Sequence, residues 1–228
     1  MKVIFQGLLF ATLSAALTNI QCEDSTRKDW NSMEQMLVIA SKNLPRSCVR
    51  IQSKTSESLS SGILIDRDGT ILTVSHAIEA DLSEVTVLFI DGEKGVASIV
   101  LHDAERDTAI LKLKGSLPEQ AVPAEVAAPQ PKSKQKMQPV VAVGFGGSEQ
   151  AAVRFGFGYL DPKSGNWVTT CRLTAGDSGG GLFTLDGELL AIHSATDAIQ
   201  AMRSHHIDLS QFSAGESTNL VDASHSVR

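Results

Sequence analysis

Among the 228 residues there are only three cysteines, and neither a paired-cysteine spacing nor an HExxH motif occurs, so no metal site is indicated and no cofactor is expected. His205 and His206 are adjacent, and neighbouring side chains on a strand point to opposite faces, which keeps the pair from sharing one ion. An excess of positive charge is also missing: 20 Lys and Arg stand against 26 Asp and Glu, a net charge of -6. That balance gives no general attraction for nucleic acid or for an anionic membrane. No apolar run reaches the roughly 20 residues a membrane-spanning helix needs, because Gln6, Thr12, Ser14 and Asn19 interrupt the one near the start. With 42% hydrophobic residues the composition is that of a globular protein with a sizeable core.

Residues 1–22 have the pattern of a signal peptide: one early charge, Lys2, an apolar stretch from Val3 to about Leu13, then the small residues Ser14, Ala15 and Ala16. Cleavage is expected near Ala16, with a site closer to Cys22 as the alternative; after removal no stable membrane insertion remains. Asn19, Ile20 and Gln21 are not the small residues that lipid attachment at Cys22 would require. Export to an oxidising compartment leaves two readings for Cys48 and Cys171, a disulfide or two buried thiols.

Residues 23–44 form an N-terminal helical segment. Within it Trp30, Met33, Leu37 and Ala40 recur at helical spacing, and Pro45 ends the helix. Residues 45–116 hold six short β-rich runs, at Cys48 to Gln52, Gly62 to Asp66, Thr70 to Val74, Glu84 to Ile90, Val96 to His102 and Thr108 to Leu113. Asp68-Gly69 and Asp91-Gly92 fall between runs, which is hairpin chemistry. Six strands in so short a span indicate a small antiparallel barrel. Residues 117–138, with four prolines and no sustained period, are expected to be a linker. A second β-rich set fills 139–212, with runs at Val140 to Phe145, Ala151 to Tyr159, Trp167 to Arg172, Gly181 to Leu185, Glu188 to His193 and Met202 to Ile207 and another Asp-Gly turn at Asp186-Gly187, and 213–228 form a polar, serine-rich tail.

Three fragments carry chemistry. TAGDSGGGLF, residues 174–183, sets Ser178 on a glycine-rich turn where the N–H groups of Gly176 and Ser178 can converge on one oxygen, as acyl transfer requires. A glycine turn alone is common. TVSHAI, residues 73–78, places His76 directly after an apolar strand, where a side chain emerges at a barrel rim; a lone histidine is otherwise structural or merely exposed. RDTAILKL, residues 106–113, opens a buried run with Asp107, which is either a turn cap or the carboxylate that orients a histidine ring.

Taken in order, SGILIDRDGTILTVSHAI, DTAILKLKG and TAGDSGGGLF resemble the chymotrypsin-fold serine proteases, especially exported bacterial trypsin-like and HtrA-type enzymes, over roughly residues 35–212. The resemblance implies an all-β fold, two six-stranded antiparallel barrels with an N-terminal helix, and a cleft between them. It implies a secreted or periplasmic serine endopeptidase acting on polypeptides, with Ser178 as nucleophile, His76 as base, Asp107 orienting His76, and an oxyanion hole of the Gly176 and Ser178 N–H groups. Asp177 departs from the asparagine of HtrA-type enzymes; trypsin-like zymogens pair that aspartate with a new amino terminus, yet no Ile-Val-Gly-Gly-like start precedes Cys48. Its expected partner is therefore Arg154 or Arg172. Arg172, six residues before Ser178, falls at the base of the trypsin-like specificity pocket, and His193, fifteen after, falls where glutamyl endopeptidases contact glutamate. Together they imply substrate binding with an acidic preference; the alternative pairs Arg172 with Asp177 and leaves His193 an ordinary strand residue. Too few residues follow the protease motifs for a PDZ domain, so neither PDZ-linked control nor large assemblies are expected, and no oligomeric state is specified. Two other functions fit the same scaffold: a catalytically dormant binding or chaperone-like protein, and an esterase differing only in its pocket.

Overall fold

The computed structural model describes residues 31–52, 59–79, 81–128, 136–196 and 204–208, with the backbone alone at 195–196 and 204–208. The expected signal peptide and polar tail lie outside the described residues, as do Cys22 and Trp30. The chain divides into two compact units, residues 1–39 and 40–228. In the first, residues 31–39 are helical; helical geometry continues to residue 43 in the second. There Pro45, which cannot donate to a preceding turn, diverts the chain into a 3-10 turn at Leu44–Ser47. The Ser47 hydroxyl donates to the Leu44 carbonyl at 2.8 Å, and Cys48 then enters the first strand in extended geometry.

Six strands follow: β1 (Cys48–Gln52), β2 (Leu59–Leu64), β3 (Thr70–Thr73), β4 (Glu84–Leu88), β5 (Lys94–Asp103) and β6 (Thr108–Lys114). They close as an antiparallel barrel in the order β1-β2-β3-β6-β5-β4. In β4 the sequence EVTVL buries Val85 and Val87 and leaves the alternate residues half-exposed, the period-2 pattern of a strand with one face in a core. Val49, Ile51, Leu64, Ile71, Val85, Val87, Ala109 and Leu111 fill the interior.

The second sheet holds β8 (Gln138–Gly144), β9 (Ala152–Leu160), β10 (Trp167–Thr169), β11 (Gly181–Phe183), β12 (Glu188–Thr196) and β13 (Ser204–Asp208), ordered β11-β8-β9-β10-β13-β12 and closed by β11–β12 pairing. A seventh, two-residue strand, β7 (Glu125–Val126), adds to β12 in parallel. The run VVAV in β8 is apolar without alternation because both its faces are covered. Val140 and Ala142 pack with Leu160, Trp167 and Leu182, while Val141 and Val143 pack with Cys48 and Ile63 of the first barrel. A second shared cluster joins Leu72, Val74 and Ile110 of the first barrel to Ile192 of the second.

The proline-rich connection differs from a free linker in its described part. Val122 N–H donates to Arg46 O, Ala124 N–H to Leu64 O and Ala127 N–H to Leu189 O, so its backbone polar groups are met by both barrels. Two strand ends also differ from the sequence expectation. β10 stops at Thr169 rather than Arg172, because the chain there leaves the ladder to build the turn before Ser178. β12 continues past His193 through a bulge between His193 and Ala195.

Candidate active site

β3 ends at Thr73, and a 3-10 turn, Ser75–Ala77, lifts His76 to the surface with its side chain about half-exposed. Asp107 closes the β5–β6 turn, in which Asp103 Oδ1 accepts from the N–H groups of Glu105 and Arg106, both at 3.0 Å. Among the described residues Asp107 alone of the non-glycines has positive φ, +50°. Aspartate tolerates that conformation better than most residues, and such local cost persists where surrounding contacts over-determine it.

Those contacts are extensive. Both oxygens of Asp107 lie 2.9 Å from His76 Nδ1, and Oδ1 also accepts from the His76 N–H at 3.1 Å and the Ser75 hydroxyl at 3.2 Å. Oδ2 accepts from the Ser194 hydroxyl at 2.7 Å. Burial is the largest single influence on this carboxyl and raises its pKa, but the hydrogen bonds from Ser194 and from the His76 backbone and ring together outweigh it and hold Asp107 below the usual carboxylate range. An ionised carboxylate only accepts, so the proton of neutral His76 sits on Nδ1 and leaves Nε2 with its lone pair. His102 on β5 steadies the turn from behind: its Nε2 donates to the carbonyls of Ser75, at 3.1 Å, and Ile78, at 3.2 Å, on either side of His76.

Ser178 sits on a turn pinned at almost every peptide. Asp177 N–H donates to Thr174 O, Gly180 N–H to Asp177 O, Gly179 N–H to His193 O and His193 N–H to Gly180 O. The first barrel grips the same turn: Ser61 N–H donates to Ser178 O at 2.8 Å, and the Thr73 hydroxyl donates to Ser61 O at 2.7 Å. Gly179, at φ +83°, lies so close that an added Cβ would stand 2.1 Å from Ser61 O and 2.2 Å from Thr73 Oγ1, so only glycine fits. Among the described residues no acceptor meets the N–H of Gly176 or of Ser178.

Asp177 is fully buried, and its partner is Arg154, not Arg172. Arg154 Nη1 lies 3.1 Å from Asp177 Oδ1, while the N–H and hydroxyl of Thr174 reach Oδ2 at 2.7 and 3.1 Å. Beside it opens a cavity of about 290 Å³ lined by Leu173, Thr174, Ala175, Asp177, Ser178, His193 and Ser194. His193 is completely buried; burial first, and the Arg154 charge second, push its pKa down to about 3, against a hydrogen bond to the Val143 carbonyl, so the ring is neutral near pH 7. Arg172 is exposed and outside the lining.

Two polar routes link the surroundings of Ser178 to those of His76 and Asp107, while among the described residues no hydrogen bond joins His76 to Ser178 itself. One runs from Ser178 through Ser61 to Thr73, three residues before His76; the other runs from the cavity through Ser194 to Asp107 and His76. Ser61, Thr73, Ser75, His102 and Ser194 were not marked as candidates by the sequence patterns. The bulge places Ser194 off the regular β12–β13 register, and such bulges re-aim side chains. Cys48 and Cys171 are both buried free thiols in separate clusters, and burial raises the pKa of each.

Residues 60–192, which include His76, Asp107 and Ser178, match the trypsin-like peptidase domain. The chain belongs to that family and has the fold of chymotrypsin-class serine proteases of HtrA type. A putative protease Do-like 14 of Arabidopsis thaliana is 30% identical over 158 residues, covering 60% of this chain and 35% of the relative. A probable periplasmic serine endoprotease, DegP-like, of Pseudomonas fluorescens is 32% identical over 159 residues, covering 66% and 32%. The serine endoprotease of Yersinia pestis superposes with a TM-score of 0.67 at 21% identity, over 80% of this chain and 65% of that one, which shows a shared fold. The chain spans about a third of the length of the curated relatives it matches.

Proposed function

We propose that this chain is a secreted or periplasmic serine endopeptidase that cleaves polypeptides through an acyl-enzyme. Ser178 Oγ attacks the peptide carbonyl carbon while His76 Nε2 takes its proton. The Gly176 and Ser178 N–H groups receive the oxyanion, and losing one such donor typically costs about 100- to 1000-fold in kcat. The His76 proton passes to the departing amine, and water then repeats the sequence on the ester. Asp107 holds the ring and stabilises its charged form. The observation that carries the reading is Asp107, clamped to His76 Nδ1 on one side and to the Ser194 hydroxyl from the Ser178 cavity on the other. Export rests on the pattern of residues 1–22 and on the periplasmic relatives.

For specificity we infer that His193 and Arg172 favour an acidic side chain. The neutral ring of His193 lines the cavity, and Arg172 is exposed one residue before the cavity wall begins at Leu173. Mass spectrometry of a proteome-derived peptide mixture tests both parts. Cuts after Glu or Asp, abolished in Ser178→Ala, are expected. No cleavage by folded protein contradicts the enzyme reading, and cuts after other residues contradict the acidic pocket alone.

A further inference from the structure

Ser61 has no exposed surface, and its side chain is committed in two directions. Its hydroxyl donates to Gly176 O at 2.8 Å and accepts from Phe145 N–H at 2.9 Å. With its N–H on Ser178 O and its carbonyl receiving the Thr73 hydroxyl, four hydrogen bonds meet at one residue of the first barrel, three of them reaching the second.

The consequence lies in the peptide planes of the turn. The Asp177–Ser178 plane is held through Asp177 O by Gly180 N–H, and the Ser178–Gly179 plane through Ser178 O by Ser61 N–H. The Gly176–Asp177 plane is held at its nitrogen by Thr174 O and at its oxygen, among the described residues, by the Ser61 hydroxyl alone. Gly176, at φ +96°, has no side chain to limit rotation, and an added Cβ there would lie 2.5 Å from Gly147 N, in the loop that the Phe145 bond anchors.

We propose that the Ser61 hydroxyl is a positioning group: it fixes the Gly176–Asp177 peptide on one side of the Gly176 Cα and so restrains the adjoining Ala175–Gly176 peptide, whose Gly176 N–H faces the developing oxyanion. The catalytic part of this rests on the endopeptidase reading; the conformational part does not. Replacing the hydroxyl by hydrogen leaves a buried carbonyl and a buried N–H without their partner, while hardly changing volume. Because the donor is displaced and not deleted, the loss should be smaller than for removal of an oxyanion donor, roughly 10- to 100-fold in kcat with KM within about 2-fold.

The test compares the parent chain with Ser61→Ala for peptide hydrolysis well below either unfolding midpoint, alongside amide NMR of both proteins. The expected result is a fall in kcat at constant KM, with shifted resonances at the amides of Phe145, Gly176 and Asp177 and faster hydrogen exchange at those of Phe145 and Asp177. An unchanged kcat in an active, folded variant overturns the positioning role, whatever its melting temperature. If the folded parent hydrolyses nothing, the endopeptidase reading fails, and the amides still decide the rest: unaltered amides in Ser61→Ala overturn the claim that the hydroxyl fixes this peptide.

Discussion

Acidification should destabilise this fold through His193 before its carboxylates matter. The ring is completely buried with a pKa near 3, against about 6.5 in an unfolded chain, so the unfolded chain binds a proton that the folded one refuses. The stabilisation is therefore complete above about pH 6.5 and is lost as pH falls towards 3. Each pH unit inside that window costs about 1.4 kcal/mol, so lowering pH from 6 to 4.5 should remove about 2 kcal/mol. Asp107, whose carboxyl is held low, shifts the proton balance in the same direction, but mainly below about pH 4, outside this interval. With a urea slope of about 2 kcal/mol/M, the midpoint should move down by roughly 1 M. The assay is urea unfolding of the parent and of His193→Gln at pH 6 and 4.5, since groups common to both cancel in the difference. Parallel losses in the two proteins would refute the reasoning.

Three further outcomes follow from the same contacts. Arg154→Met leaves the buried Asp177 charge without its guanidinium and should cost about 3 kcal/mol in urea unfolding, most of it recovered in Arg154→Met/Asp177→Asn; a single variant as stable as the parent would contradict the ion pair's role. Ser194→Ala removes a bond that lowers the Asp107 pKa, so the acid limb of the pH–rate profile should move to higher pH, with about 1 kcal/mol of stability lost; an unmoved limb would count against the link. Cys48 and Cys171 should ignore Ellman's reagent at pH 8 until the chain is unfolded, and reduction should change neither thiol count nor mass at these positions.

Much of the fold was legible because apolar pattern and turn chemistry agreed. Strands β4 and β6 start where the sequence expectation began them, at Glu84 and Thr108, and Asp68-Gly69, Asp91-Gly92 and Asp186-Gly187 each lie between paired strands. His76, Asp107 and Ser178 stood out because each interrupts or borders an apolar run with a chemically active group. The choice between Arg154 and Arg172 was not legible. Arg172 is nearer in sequence, but Arg154 pairs with Ala142 on the strand whose glycine end, Gly144, lies against Asp177, a proximity only the β8–β9 register creates. Ser194 was hidden because a bulge is set by the partner strand and leaves no local signal. Ser61 was hidden because a strand hydroxyl looks the same whether it faces water or a carbonyl across a barrel interface. The prolines at 118 and 123 suggested a free linker, since backbone anchoring to a distant element cannot be read from composition.

The central claim is that an imidazole oriented by Asp107 makes one serine out of many a nucleophile. Intact-mass analysis and peptide mapping after treatment with an aryl phosphonate measure this without knowledge of the substrate. A single adduct on Ser178 is predicted for the parent, with none in Ser178→Ala and far slower formation in His76→Ala. A folded parent that stays unmodified, or one modified equally fast without His76, would contradict the account.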